Sequence, residues 1–183
     1  MTKVPVATVF GSASVFKETP AYDLAVEIGG ALAKKGFAVA NRGGGGIMEA
    51  AHRGAHSQGG HTIAVATQTG ADQEITMYAL ERRVVENSIA CTHTLYEIAD
   101  IIVVFPGGIG TLRDLAYAWN MRQYSARPKP ILLVGTGWPK MLQGLQANLD
   151  ITSEQLKTLE VLHDAVELEE QIDRWLGEQA RTT

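Results

Sequence analysis

The stretch IIVVFPGGIGTLRD, residues 101–114, joins a run of β-branched residues to a loop with three glycines in four positions. The apolar run 101–106 is nearly continuous, which is typical of a strand buried on both faces of a sheet. Residues 112–121 have the apolar spacing of a helix. The stretch therefore predicts a buried strand that passes through a glycine loop directly into a helix.

Apolar runs and helical patterns alternate along the rest of the chain. Further strands are predicted at 4–10, 37–41, 61–67 and 130–135, and helices at 22–36, 46–60, 84–99, 138–149 and 152–159. A loop is predicted at 68–78, and residues 160–179 are expected to form a short apolar piece and a terminal amphipathic helix. This alternation predicts an α/β fold, a doubly wound parallel sheet with helices on both faces and a strand order such as 3-2-1-4-5. With no repeat or linker, residues 1–183 are expected to form a single domain.

Composition narrows the class of protein. The 183 residues are 45% hydrophobic and 20% charged, with a formal net charge of −4, which argues against a nucleic-acid-coating surface. The single Cys91 excludes an intrachain disulfide and suits a reducing compartment. The start of the chain lacks the pattern of a signal peptide, and no apolar run is long enough for a membrane span. The composition predicts a cytoplasmic protein without membrane partners.

Three predicted strands end in glycine or small hydroxyl residues, in GSAS (11–14), NRGGGGIMEA (41–50) and PGGIGT (106–111). The carboxyl ends of parallel strands form the ligand-binding edge of such a sheet. Glycines let backbone N–H groups approach an anion, and a helix start adds unpaired N–H groups. We expect an anion site, although each loop alone could be a short turn. Its candidate residues are Gly11, Ser12, Arg42, Gly44, Gly45, Gly46, Met48, Gly107, Gly108, Ile109, Gly110 and Thr111.

Missing motifs restrict the ligand. No G-x-G-x-x-G follows the first strand and no G-x-x-x-x-G-K-[ST] occurs, so neither a dinucleotide fingerprint nor a P-loop is present. A small molecule with one phosphate is the expected ligand, without a cofactor. His52 and His56 have metal-ligand spacing, but no Cys or acidic cluster completes a site, so we expect no metal and an exposed helix face there.

The combination FGSAS, GGGGIMEAAHRGA and IIVVFPGGIGTLRD resembles the Lonely Guy (LOG) family, often labelled "lysine decarboxylase-like", over residues 6–135. The resemblance implies a Rossmann-like fold in which PGG-x-GT holds a phosphate. Catalytic members are homodimers that cleave nucleoside 5′-monophosphates into base and ribose 5-phosphate, so a homodimer is expected here. The wider superfamily includes molybdenum-cofactor carrier proteins.

The family's catalytic pair, an Arg in the helix before PGG and a Glu three residues after the Thr, is altered. Asp114 stands at the Glu position, and an ungapped alignment puts Cys91 at the Arg position. Asp114 could instead cap its helix, because Thr111 to Asp114 fits the [ST]-x-x-[DE] pattern. Arg42 could supply the missing cation or be a solvated loop residue. Arg113 is a third candidate cation, although adjacent helix residues do not share a face.

Glu49 is the second carboxylate expected near the ligand, and favourable placement at a helix N-terminus is its alternative role. Two functions stay open. The first is a LOG-like binder of a nucleoside monophosphate, or a similar phosphorylated small molecule, with weak or altered phosphoribohydrolase activity. The second is a non-enzymatic binder or carrier of a phosphorylated ligand, resembling molybdenum-cofactor carriers.

Overall fold

The computed structural model describes residues 4–68 and 74–181. Its strands are β1 (Val6–Phe10), β2 (Ala38–Asn41), β3 (Thr62–Thr67), β4 (Glu81–Val85), β5 (Ile101–Val104), β6 (Ile131–Val134) and β7 (Leu159–Leu162). Its helices are α1 (Pro20–Lys34), α2 (Ile47–Ser57), α3 (Ser88–Ile98), α4 (Ile109–Gln123), α5 (Trp138–Asn148), α6 (Ser153–Leu156) and α7 (Ala165–Arg181). The strands form one parallel sheet in the order β4-β3-β2-β1-β5-β6-β7.

The sheet confirms the predicted topology. The five strands expected from the sequence are β1, β2, β3, β5 and β6, and they lie in the order β3-β2-β1-β5-β6, which is the predicted 3-2-1-4-5. Side chains of α1, α2 and α7 form a core on one face of the sheet. Side chains of α3, α4 and α5 form a second core on the other face. The doubly wound α/β class is therefore confirmed.

The two edge strands were not predicted. The helix expected at 84–99 is wrong at its start, because residues 81–85 form β4, which pairs along β3. Asn87 then accepts the N–H groups of Ile89 and Ala90 and begins α3 at Ser88. At the other edge, β7 pairs with β6. Both edge strands form by backbone pairing with a neighbouring strand. A short apolar run in the sequence does not reveal that pairing.

The segment before β7 is a short helix. Thr152 and Gln155 form a capping box, and the helix that it starts covers only Ser153–Leu156 of the predicted 152–159. Of the predicted loop at 68–78, residues 69–73 lie outside the described ranges. Within the part of the chain that is described, no helix is long and apolar enough to cross a membrane.

His52 corrects the prediction that the two histidines lie on an exposed helix face. His56 is exposed, but His52 is fully buried in α2. Neither ring nitrogen of His52 has a hydrogen-bond partner among the described residues. Burial lowers the pKa of His52 from 6.5 to about 4. The backbone at Val39 and Ile63 raises this pKa, but by less than burial lowers it. The helix packs this side toward the sheet because its neighbours Met48, Ala51 and Ala55 are apolar and also buried.

We predict that His52 weakens the fold as the pH falls. Its pKa is lower in the folded protein than in the unfolded chain, so the unfolded chain takes up a proton first between pH 6.5 and pH 4. The loss should reach about 3 kcal/mol of unfolding free energy at pH 4. His52→Leu should remove this part of the pH dependence in urea unfolding series.

His56→Gln, on the same helix but exposed, is the control and should leave the wild-type pH dependence in place. An unchanged pH dependence in His52→Leu would contradict the assignment.

Candidate functional site

The site lies where the winding of the sheet reverses. β1 is flanked by β2 and β5, so the loops that follow these three strands lie side by side at one edge. The Ser12 N–H donates to the Pro106 carbonyl at 3.3 Å, and the Ser12 carbonyl accepts from the Ile47 N–H at 2.9 Å. The GSAS loop is thus bonded on both sides to a glycine loop.

Two glycines make this contact possible. Gly46 has φ +63°, and a Cβ there would lie 2.3 Å from the Ser12 carbonyl oxygen. A Cβ at Gly107 would lie 2.2 Å from Thr111 Oγ1 and 2.9 Å from the Ser12 nitrogen. Any side chain at either position would push the loops apart. These glycines therefore bring three loops together as well as turning the chain.

The loop after β5 leads into a helix with free donors. Gly108 is the N-cap of α4, and within the described residues no side chain caps it. The first helical bond runs from the Leu112 N–H to the Gly108 carbonyl at 3.0 Å. The N–H groups of Ile109, Gly110 and Thr111 precede this bond and have no acceptor within the helix. Ser12 Oγ, across the crevice, accepts the Ser14 N–H at 3.1 Å, which leaves its own proton to donate.

A cavity of about 390 Å³ is bounded by these donors. Most of the site residues predicted from the sequence line this cavity. Those that line it are Gly11, Ser12, Arg42, Met48, Gly108, Ile109, Gly110, Thr111 and Asp114. We name it the phosphate-loop cavity.

Other predicted residues lie elsewhere. Gly44, Gly45 and Glu49 line a second cavity of about 410 Å³ together with Lys17. Glu49 Oε1 lies 2.9 Å from Lys17 Nζ and 3.4 Å from the Tyr22 hydroxyl. The structure therefore does not bring Glu49 to the phosphate-loop cavity. Gly107 lines a separate cavity of about 410 Å³ with Trp138 and Met141, and Gly46 packs against the backbone of Ser12.

Asp114 is held by charged and hydroxyl donors. Its side chain is only 5% exposed. Asp114 Oδ1 accepts from Thr92 Oγ1 at 2.8 Å, from Arg113 Nη2 at 2.9 Å and from Arg42 Nη2 at 3.0 Å. Asp114 Oδ2 accepts from Arg42 Nε at 3.3 Å, its one hydrogen bond among the described residues. Within this part of the chain, three residues fix one carboxylate oxygen and one residue contacts the other.

The structure decides two alternatives that the sequence left open for Asp114. Asp114 does not cap the helix, because Gly108 is the N-cap and Thr111 is already the third helical residue. Arg113, a candidate cation in spite of its adjacent position on the helix, does reach the carboxylate. Its long side chain folds back, and its Nε lies 3.1 Å from Asp114 Oδ1.

Arg42 brings to Asp114 the cation that Cys91 cannot provide. Cys91 is buried and donates from Sγ to the Val65 carbonyl at 3.0 Å. Burial raises the pKa of the Cys91 thiol, which keeps it neutral. Thr92, the next residue, contacts both Arg42 and Asp114. Sequence reasoning missed Thr92, because no local pattern shows that a helix threonine faces a residue 22 positions away.

Residues 4–164 match the sequence pattern of the SLOG cluster4 family. The chain belongs to the SLOG cluster4 family. This assignment confirms the LOG-type resemblance seen in the three glycine loops.

A curated relative of this SLOG cluster4 protein is the cytokinin riboside 5′-monophosphate phosphoribohydrolase of Mycobacterium tuberculosis. The two are 30% identical over 115 residues, which are 61% of this chain and 61% of the relative. The matched part of the chain thus spans less than two thirds of that enzyme.

Solved structures share the fold. The molybdenum cofactor binding protein of Rippkaea orientalis has a TM-score of 0.77 at 21% identity, covering 96% of this chain and 99% of the other. The molybdenum cofactor carrier protein of Chlamydomonas reinhardtii has a TM-score of 0.73 at 23% identity, with the same two coverages. A more distant structure is that of DNA processing protein A of Helicobacter pylori, a protein that binds single-stranded DNA. It has a TM-score of 0.61 at 13% identity, covering 96% of this chain and 81% of the other. At these identities the likeness is one of fold.

We predict that Gly107 is required for stability and Gly108 is not. Gly107→Ala should lower the unfolding free energy by about 1–3 kcal/mol, because its Cβ would overlap Thr111 and the Ser12 backbone. A Cβ at Gly108 would meet nothing within 4 Å, so Gly108→Ala is the matched control and should unfold like wild type. Equal stability of the two variants in urea unfolding would show that the loops are not in contact as described.

Proposed function

We propose that this chain binds a nucleoside monophosphate, or a similar phosphorylated small molecule, with its phosphate at PGGIGT. The observation that carries the proposal is the convergence of the α4 N-terminus and the Ser12 loop on one cavity of about 390 Å³. Unpaired N–H groups at a helix N-terminus and nearby hydroxyls are the donors that a phosphate accepts from. Small-molecule sites span about 300–1,000 Å³, so the cavity is large enough for such a ligand.

Hydrolysis of the N-glycosidic bond is the chemistry that Asp114 would support. When this bond breaks, positive charge develops on the sugar, and a nearby carboxylate stabilises that charge or takes a proton from the attacking water. Arg42, Arg113 and Thr92 fix Oδ1, so Oδ2 is the oxygen with capacity for this role. Water would add to the anomeric carbon and the base would leave with a proton. The 30% identity to a phosphoribohydrolase supports this proposal.

Binding without turnover is the second candidate, and a specific observation favours it. Asp114 is almost fully buried and already accepts from three side chains, while Glu49 is paired with Lys17 in another cavity. A carboxylate so enclosed makes little contact with a ligand. The fold shared with two molybdenum-cofactor proteins is compatible with a carrier.

The proposed partner is a small molecule and not a nucleic acid, and the net charge of −4 supports this choice. Among the described residues, no three His, Cys, Asp or Glu side chains form a group suited to a metal ion. A homodimer of single-domain chains and a cytoplasmic location remain part of the proposal, drawn from the sequence and the family resemblance.

Thr111 gives the first test of the phosphate site. Thr111→Val keeps the shape of the side chain and removes its hydroxyl, so affinity for nucleoside 5′-monophosphates should fall about tenfold in calorimetric titration. Ser12→Ala should act in the same direction. Thr94→Val, on α3, is the control and should bind like wild type. Normal affinity in both site variants would place the phosphate elsewhere.

Asp114 separates the two candidate functions. We expect the wild-type protein to release free base slowly from at least one of a panel of nucleoside 5′-monophosphates. Chromatography measures the released base. Asp114→Asn should lose at least about 100-fold of this rate. It should bind the nucleotides at least as tightly, because a negative charge beside the ligand is removed.

A wild-type protein that is thermally stabilised by nucleotides but releases no base would favour the carrier function. Base release at the wild-type rate by Asp114→Asn would exclude Asp114 from catalysis.

A further inference from the structure

Another cavity, of about 330 Å³, adjoins the phosphate-loop cavity. It is lined by Arg42, Val65, Ala66, Thr67, Ser88, Cys91, Gly110 and Arg113. Arg42 and Gly110 belong to the walls of both cavities, so a ligand bound at PGGIGT could extend into this one. We name it the arginine cavity.

Charge in the arginine cavity is unbalanced. Two guanidinium groups, those of Arg42 and Arg113, share the single carboxylate of Asp114, and they approach the same oxygen at 3.0 and 2.9 Å. Among the residues that the structure describes, no acidic side chain lines the cavity. Among the described residues, neither arginine forms an ion pair with any other acid. The cluster therefore carries one excess positive charge.

Part of this charge lies where water shields it poorly. The side chain of Arg42 is only 19% exposed, whereas that of Arg113 is 44% exposed and reaches solvent. A partly desolvated guanidinium is costly without a partner, and a planar guanidinium binds carboxylate or phosphate with two N–H donors. By contrast, the cavity at Lys17 contains the acids Glu49 and Glu74. The lining of the arginine cavity thus differs in charge from that of the cavity at Lys17.

Donors remain for a ligand in this cavity. Arg42 uses Nε and Nη2 on Asp114, Thr92 and Ser88, and within the described residues its Nη1 has no protein partner. The Ser88 hydroxyl accepts from Arg113 Nη1 at 2.7 Å, which leaves its proton to donate. The small side chain of Cys91 leaves room beside these groups.

We infer that the arginine cavity is a second anion subsite and that the ligand carries two separate anionic groups. One is the phosphate at PGGIGT, and the other is a phosphate or carboxylate held by Arg42 and Arg113. This inference rests on the proposed function, since it assigns the class of substrate to the same site. A nucleoside bisphosphate or a sugar bisphosphate has the required chemistry.

The test compares ligands that differ only in the second group. Adenosine 5′-monophosphate is titrated beside the 2′,5′- and 3′,5′-bisphosphates, and ribose 5-phosphate beside ribose 1,5-bisphosphate, by calorimetry. At least one bisphosphate should bind about tenfold more tightly than its monophosphate, and this preference should shrink as salt is raised.

Arg113 gives the decisive variants. Arg113→Gln keeps the Arg42–Asp114 pair and should abolish the preference for a bisphosphate, measured as the ratio of bisphosphate to monophosphate affinity within the same variant. Arg113→Lys retains the charge and should keep part of the preference. Arg127→Gln, an exposed arginine that lines neither cavity, is the matched control and should match wild type.

Each remaining outcome has a separate meaning. Equal binding of monophosphates and bisphosphates, or an unchanged preference in Arg113→Gln, overturns the second subsite and leaves the proposed function intact. Absence of binding by every phosphorylated probe overturns the proposed function and the second subsite together.

Discussion

The backbone of Ser12 is the contact on which the site depends. Its N–H bonds to the loop after β5, and its carbonyl bonds to the start of α2 after β2. Both contacts need a neighbour without a side chain, which Gly107 and Gly46 supply. Since β1 is the strand at which the sheet reverses its winding, these bonds fix three loops around a single crevice. The donors of α4 and the Ser12 hydroxyl face one cavity for this reason.

A second constraint is electrostatic. Asp114 is buried on α4 and accepts from Arg42, which comes from the end of β2, and from Arg113 beside it. A buried carboxylate needs such donors, so the ion pairs tie the second glycine loop to the helix that begins at PGGIGT. The same pairing leaves one positive charge in excess. One cluster of side chains therefore both joins α4 to the second glycine loop and carries the charge on which the proposed second anion subsite rests.

The loss of a family residue illustrates how a site can be rebuilt. At the position where the LOG resemblance implies an arginine, this chain has the neutral, buried Cys91. A guanidinium reaches the carboxylate nonetheless, from Arg42 on another element. Substitution at one position therefore does not show that the charge is missing, because a long side chain from a neighbouring loop can replace it.

By itself, the sequence determined the α/β class, the order of five central strands and the three glycine loops. These features depend on local signals: buried β-branched runs, helical periodicity, and glycines at strand ends. Tertiary structure alone decided the rest. β4 and β7 form because a neighbouring strand offers backbone partners, His52 is buried because α2 turns that face to the sheet, and Arg42 meets Asp114 across 72 residues. Long-range contacts of this kind depend on where two elements lie in space, and no spacing along a single chain encodes that distance.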